Sequence, residues 1–298
     1  MRVGINILGL ERWCEHGLAS VLDLTTIADE AGIDLISTGD HLGFNAPAHR
    51  QRVEDEGFLF PLDHHWFEPL TLLAAVAART RSVQLGVSVI VAPLRPALLL
   101  AKQVATLDVI SAGRASIGVG VGWQQAEYAA SGVPFERRFG RMEEQIAACR
   151  ELWSNPPSAF RGTDFEFDDF HSLPLPVQSR VPVLFGLGPS RRNFERIARV
   201  GDGWTANPAD MSAFGSSVEL LRTCFTEHGR DPDEATVQVS VPPIRTSNGS
   251  VDFDATARQV AELGKAGATT AVLRPAAFEP EERDLPTLVR WIADLGSR

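Results

Sequence analysis

The pair Asp40-His41 carries the most chemistry in this sequence. An imidazole titrates near neutral pH and can give or take a proton, and a neighbouring carboxylate can orient it or bind a ligand. The plainer reading of the pair is a polar strand end that caps the next loop. His64-His65, after Asp63, is the other histidine cluster, but adjacent side chains diverge and no further His or Glu follows at ligand spacing, so no metal site is expected. Two glycine runs stand out. Gly186-Leu187-Gly188-Pro189-Ser190-Arg191-Arg192 reads as a strand-to-helix turn, where free helix-start amides and two arginines could receive a phosphate, although a tight turn needs glycine anyway. Gly118-Val119-Gly120-Val121-Gly122 lacks the spacing of a dinucleotide fingerprint. It is read as a place where a flat ring lies against a strand end, with Trp123 able either to stack on that ring or to pack in the core.

Short runs rich in Val, Ile and Gly must position these residues. Strands are expected over 3–8, 35–39, 83–91, 115–120, 183–187, 203–206, 237–241 and 270–273. Amphipathic stretches over 18–31, 69–79, 96–110, 139–153, 191–200, 213–228, 254–266 and 285–295 alternate with them. Pro69 and Pro96 suit first helical turns, and Gly32, Gly113, Gly201 and Gly267 suit helix exits. The strands lack strict alternation, as expected when both faces are buried in a parallel sheet. Eight strand–helix units with no second core predict a single α/β domain over 1–298, a (β/α)8 TIM barrel, over a doubly wound open sheet. In such a barrel the chemistry sits at the C-terminal strand ends: near Asn6 and Leu8, Asp40-His41, Ser88-Val89, Gly120 to Trp123, Gly186 to Ser190, Asn207, Pro242 to Arg245, and Arg274. His41 is the only histidine at such an end. Two segments, 41–68 and 154–182, are too long for plain connections and are read as insertions at the C-terminal face that line a substrate pocket. Their Phe and Trp content points to an apolar or aromatic compound.

With 28 basic and 38 acidic side chains the net charge is −10, which argues against nucleic acid and anionic membranes as partners. Cys14, Cys149 and Cys224 are scattered and read as free thiols in a reducing compartment. The amino terminus shows no targeting segment and the apolar runs are too short to span a bilayer, so a soluble, cytoplasmic protein is expected.

The run Leu94-Arg95-Pro96, then Thr106 to Arg114, then Gly118 to Trp123, continuing through Glu127, Gly132, Phe135 and Arg138 to Glu144 and Leu152-Trp153, resembles the central motif of the bacterial luciferase-like family of flavin- and deazaflavin-dependent oxidoreductases. A second similar block runs from Gly186 to Ser190 and on to Gly201-Asp202-Gly203-Trp204. The resemblance extends from Val3 to about Asn207 and implies a TIM barrel. It is strongest to the branch that uses coenzyme F420. That branch implies His41 beside the redox ring as proton donor or acceptor, with Trp123 in the catalytic set. It places Asp40, Ser88, Val89, Val121 and Gly122 around the cofactor, with a bulge and a non-prolyl cis peptide at Ser88-Val89, and Gly188, Pro189, Ser190 and Arg191 at its phosphate. Trp123 departs from the family's sugar-phosphate dehydrogenases, which have a catalytic glutamate there, so a reductase or monooxygenase is expected. The implied function is hydride transfer between F420 and a small organic substrate by a homodimer. The alternatives are an FMN-dependent monooxygenase and a non-catalytic flavin-binding protein.

Overall fold

A computed structural model describes residues 1–206 and 213–296. The expected strand end at Asn207 lies outside the described residues. Eight parallel strands close into a barrel: β1 (Arg2–Asn6), β2 (Leu35–Thr38), β3 (Gln84–Val91), β4 (Ala115–Gly120), β7 (Val183–Phe185), β8 (Gly203–Ala206), β9 (Thr236–Ser240) and β10 (Thr270–Leu273). Their order around the barrel is β1-β10-β9-β8-β7-β4-β3-β2, with β1 paired to both β10 and β2. The (β/α)8 reading is correct. Every residue of β2, β4 and β10 is buried, which explains why their sequences do not alternate. Core side chains such as Ile5, Ile36 and Leu85 are wholly enclosed, and each contributes about 1.5–3 kcal/mol by leaving water.

The helices on the outer ring start where capping chemistry places them. α3 (Pro69–Arg79) has Pro in its first turn and Glu68 accepting from the Thr71 N–H at 2.7 Å. α7 (Arg191–Val200) is capped by Ser190, and α9 (Phe253–Lys265) by Asp252. The ring continues through α1 (Leu18–Glu30), α4 (Ala97–Ile110), α6 (Arg138–Leu152), α8 (Phe214–Glu227) and α10 (Leu285–Gly296). No helix among the described residues is long and apolar enough to cross a membrane.

The structure departs from the sequence reading at the insertions and at some strand ends. β1 stops at Asn6, because Gly9 turns into the left-handed region and a short 3-10 turn follows at Leu10–Trp13. The first long segment is not a bare loop but contains α2 (Ala46–Glu56), capped by Asn45. A further short helix, α5 (Gln125–Ala130), follows β4 directly. The second long segment forms the antiparallel hairpin β5 (Ser158–Arg161) and β6 (Glu166–Phe170). It leaves from the end of α6 and lies along that helix. Ser158 Oγ donates to the Glu151 carbonyl at its base, and Glu144 accepts from the Asp164 and Phe165 N–H groups at its tip. Its rings contact one another (Phe160–Phe167, Phe167–Phe170) and not the rings over the barrel mouth. Of the two insertions, the first is the one whose rings gather around His41.

Candidate active site

His41 lies just past β2, and its ring is held from below by a residue 86 positions away. Its Nδ1 sits 3.0 Å from Oε2 of Glu127 on α5, with 8 % and 2 % of the two side chains exposed. The other carboxylate oxygen of Glu127 accepts from the backbone N–H of Leu42 at 2.6 Å and, more loosely, of Gly43. Burial works against the carboxylate, but His41 and the two backbone donors outweigh it and hold the Glu127 pKa below its usual value. A carboxylate that stays ionised demands a hydrogen on Nδ1. The neutral ring then carries its lone pair at Nε2, and the protonated ring carries its transferable proton there. Gln124, one turn earlier, completes the clasp: its amide donates to the Gly43 carbonyl at 2.8 Å and its oxygen accepts from the Asn45 N–H at 2.6 Å. The short helix after β4 thus fixes the 42–45 backbone as well as the histidine.

The first insertion closes over this dyad with aromatic rings. His41 meets Phe44 at 4.6 Å, Trp66 edge-on at 4.8 Å and Trp123 at 5.9 Å between centroids. Phe58 bridges Phe44 and Trp123, and the Arg52 guanidinium lies over the Trp123 indole at 5.0 Å. Trp123 is therefore part of the wall around His41. His64 turns toward Phe60 and Trp66 while His65 faces Glu11, so the two adjacent histidines do diverge.

Asp40 is a correction. Its side chain is fully buried, and both oxygens are taken by a two-pronged ion pair with Arg95 at 2.7 and 3.0 Å, with the Val91 N–H adding a third bond at 2.8 Å. It presents no free atom to a cofactor and does not touch the His41 ring. Burial alone would weaken the Arg95 charge, but Asp40 and Glu68 raise its pKa above the ordinary value. The pair ties the end of β2 to the end of β3 and to the cap of α3. It positions His41 through the backbone rather than by contact.

At Ser88-Val89 the register between β3 and β4 shifts, and the peptide between them is cis. Ser88 Oγ accepts from the buried Gln238 of β9 at 2.7 Å across the barrel, and Ser88 and Val89 are half-buried at the mouth. The Val89 side chain explains the glycine pattern. A Cβ at Gly118, Gly120 or Gly186 would lie 3.0, 2.6 or 2.8 Å from a Val89 methyl, and at Gly118 also 2.2 Å from the Val87 carbonyl oxygen. The glycines of β4 and β7 make room for the bulge of β3, whereas the sequence reading assigned those of β4 to a flat ring. Val121 and Gly122 follow immediately. The Val121 carbonyl accepts from the buried Tyr128 hydroxyl at 2.6 Å, and Gly122 adopts φ 59° against Val91.

The loop 186–191 leaves β7 and opens α7. Ser190 caps the helix by accepting from the Asn193 N–H, and the Asn193 amide donates to the Gly188 carbonyl at 2.9 Å. A side chain built on Gly188 would meet nothing within 4 Å. Arg191 does not turn toward this loop: it pairs with Glu195 at 3.2 Å and with Glu227 of α8 at 2.5 Å. The loop therefore offers backbone amides and Ser190, with its first arginine committed elsewhere. Glu127 and Gln124 are the site residues that site reasoning from sequence missed. Glu127 lies inside the motif quoted above, and its spacing of three from Gln124 on a short helix is the only local sign.

Comparison with known proteins bears on the family and the fold. The luciferase-like monooxygenase profile matches residues 1–261. The uncharacterized protein Rv0953c of Mycobacterium tuberculosis is 36 % identical over 192 residues, 64 % of this chain and 66 % of that protein. Pyrimidine monooxygenase RutA of Allorhizobium ampelinum is 30 % identical over 244 residues, 77 % of this chain and 64 % of RutA. An FMNH(2)-dependent dimethylsulfone monooxygenase of Pseudomonas putida is 30 % identical over 165 residues, covering 54 % of this chain and 45 % of that enzyme. The aligned stretch thus spans less than two thirds of these relatives' own lengths. Among solved structures, an F420-dependent secondary alcohol dehydrogenase superposes with a TM-score of 0.79 at 15 % identity, covering 99 % of this chain and 98 % of that one. The monooxygenase RslO1 from Streptomyces bottropensis gives 0.78 at 23 %, with the same coverage. These two share the fold. By the match over most of its length, this chain belongs to the luciferase-like monooxygenase family.

Proposed function

We propose that the chain is an oxidoreductase that transfers a hydride between coenzyme F420 and a small organic substrate, with His41 managing the accompanying proton. The observation that carries this reading is the His41–Glu127 pair, which leaves Nε2 as the proton-handling atom at the barrel mouth. The residues fit a flat redox cofactor. Ser88 and Val89 present a half-buried edge between the His41 and Gly122 strand ends, and the open space at Gly188 sits beside the free amides of α7. Ser88, Val89, Val121 and Gly122 would hold the ring, and Gly188, Pro189 and Ser190 the phosphate. When bound, the deazaflavin supplies the hydride equivalent. Trp123, Phe44 and Phe58 exclude water around His41, and Glu127 stabilises the imidazolium when the ring holds its second proton.

A second reading is an FMN-dependent monooxygenase, favoured by the FMNH(2)-dependent relative of Pseudomonas putida. Fluorescence titration of the purified chain with F420 and with FMN separates the two, and oxygen consumption with the reduced cofactor tests the second. Submicromolar binding of FMN with none of F420 would overturn the first reading. The same reading includes a homodimer. Leu98, Leu99, Val109 and Ile110, eleven residues apart in pairs on α4, form an exposed apolar stripe. Light scattering reads the mass directly.

A further inference from the structure

The first residue past β10 is an arginine at the barrel mouth that pairs with no carboxylate among the described residues. Arg274 is half-buried, and its guanidinium lies over the Phe60 ring, 4.8 Å from the centroid. Among the described residues no carboxylate or carbonyl accepts from it. Most of the other enclosed arginines of this fold are matched, although Arg222 also keeps a buried Nε without a partner. Arg95, Arg141, Arg150 and Arg196 each hold a carboxylate, and Arg114 holds a set of backbone carbonyls. Of the acids on nearby segments, Glu11 lies 3.5 Å from His65 and Asp63 lies 3.7 Å from Arg12. A partly desolvated cation with five donors and no acceptor among the described residues is suited to a ligand that supplies one.

Other unmatched polar atoms lie beside it. His64 Nε2 and Trp66 Nε1 are buried without hydrogen-bond partners, and both rings touch the Phe60 ring on which Arg274 stacks, at 4.7 and 5.1 Å. Trp66 in turn stands edge-on to His41 at 4.8 Å, so a continuous aromatic edge runs from Arg274 to the histidine. Burial first, then the charges of Arg12 and Arg274, lowers the His64 pKa to about 4, which keeps that ring neutral and leaves Arg274 as the cation here. Barrel order adds the last element. β2, β3, β4 and β7, whose ends carry the proposed cofactor contacts, are consecutive, and β10 stands diametrically opposite β4. Arg274 therefore faces the cofactor side from across the mouth.

We propose that Arg274 anchors the carboxylate of the substrate, and that the substrate is a small organic acid whose apolar body lies along Phe60 and Trp66 toward His41. This rests on the reading of the barrel mouth as the reaction site and narrows its substrate class. A planar guanidinium binds a carboxylate through two parallel hydrogen bonds, and a site built for that bond rejects the neutral isostere.

The test uses the purified full-length chain without cofactor and three matched pairs as probes: benzoate and benzamide, phenylacetate and phenylacetamide, 3-phenylpropionate and 3-phenylpropionamide. Isothermal titration should show at least one acid binding roughly ten- to a hundredfold more tightly than its amide. In Arg274→Gln that ratio should collapse to near one, while Arg274→Lys, which keeps the charge, should retain part of it. Melting temperatures of both variants establish that they are folded, and Arg274→Gln should bind the redox cofactor as the wild type does. If no acid outcompetes its amide, or the preference survives in Arg274→Gln, the assignment is wrong. It is equally wrong if Arg274→Gln loses the cofactor instead, since Arg274 would then serve the cofactor's anionic tail. A wild-type chain that binds neither F420 nor FMN yet keeps the acid preference would sink the redox reading and leave the anchor standing.

Discussion

Glu127→Gln should slow the redox step without emptying the cofactor site. The substitution is isosteric and keeps one carbonyl-type oxygen for the Leu42 N–H, which now sits 2.6 Å from the carboxylate. What changes is the group 3.0 Å from His41 Nδ1: an amide nitrogen replaces an ionised oxygen, and a donor faces a donor. The charge-assisted bond that is lost is worth ~1.5–3 kcal/mol. If the imidazolium develops in the transition state, that loss slows turnover by roughly ten- to a hundredfold. Removing an adjacent anion disfavours a cation, so the limb of the pH–rate profile that needs the charged imidazole should also move to lower pH. Because the Glu127 pKa lies below its usual value, protonation of Glu127 itself should leave no limb in the wild-type profile between pH 5 and 8. The assay is single-turnover oxidation of the bound reduced cofactor across that pH range, alongside equilibrium cofactor affinity. Wild-type rates with an unshifted profile in Glu127→Gln would refute the proton-handling role of the pair. Unchanged rates with weaker cofactor binding would leave His41 as a binding residue.

His41→Ala removes the proton-handling atom itself and should cost ~10²–10⁴-fold in the same single-turnover assay with cofactor affinity retained. Asp40→Asn breaks a buried ion pair and should destabilise the fold by ~3–5 kcal/mol in urea titrations, a loss that a cofactor contact would not produce. Gly120→Ala drives a Cβ against Val89 and should cost ~1–3 kcal/mol, while the double variant with Val89→Ala should recover most of it; strictly additive losses would mean the glycine answers to something else. Gly188→Val meets no neighbour, so its melting temperature should match the wild type while cofactor affinity falls; unchanged affinity removes the phosphate assignment. His64 binds its proton less readily folded (pKa about 4) than unfolded, so its contribution to stability is whole above pH 6.5 and is lost as pH falls from there through 4. The ring is partly solvated, so no more than ~1–2 kcal/mol is at stake, and His64→Phe should flatten the acid limb of a stability–pH curve by that amount.

The barrel was legible because its strands are short apolar runs with burial on both faces, and that signal is local. Val3 to Asn6 or Thr270 to Leu273 announces itself without help from the rest of the chain. The insertions were not legible for the opposite reason. α2 is polar along most of its length and encloses only His49, so its helix rests on the Asn45 cap and on neighbours rather than on a periodic apolar face. The hairpin's rings pack mainly on one another and on α6, so its aromatic content does not mark a pocket lining at the barrel mouth.

The site divides along the same line. His41 could be found from its place at a strand end, but its carboxylate partner could not. Glu127 is 86 residues away, and only the closing of β2, β3 and β4 side by side brings α5 under the histidine. Asp40 shows the converse error. Its neighbour in sequence is the catalytic candidate, yet the side chain departs on the other side of the backbone to Arg95, so adjacency stood in for contact. The β4 glycines had a specific cause that sequence reasoning assigned to the ligand: they accommodate Val89, a side chain from the next strand. In each case the missing information is which residue of a distant strand or helix stands opposite, and barrel closure supplies it. The same closure sets Arg274 across from β4, where a strand-end arginine that reads as ordinary in sequence becomes a cation linked to His41 by one aromatic edge.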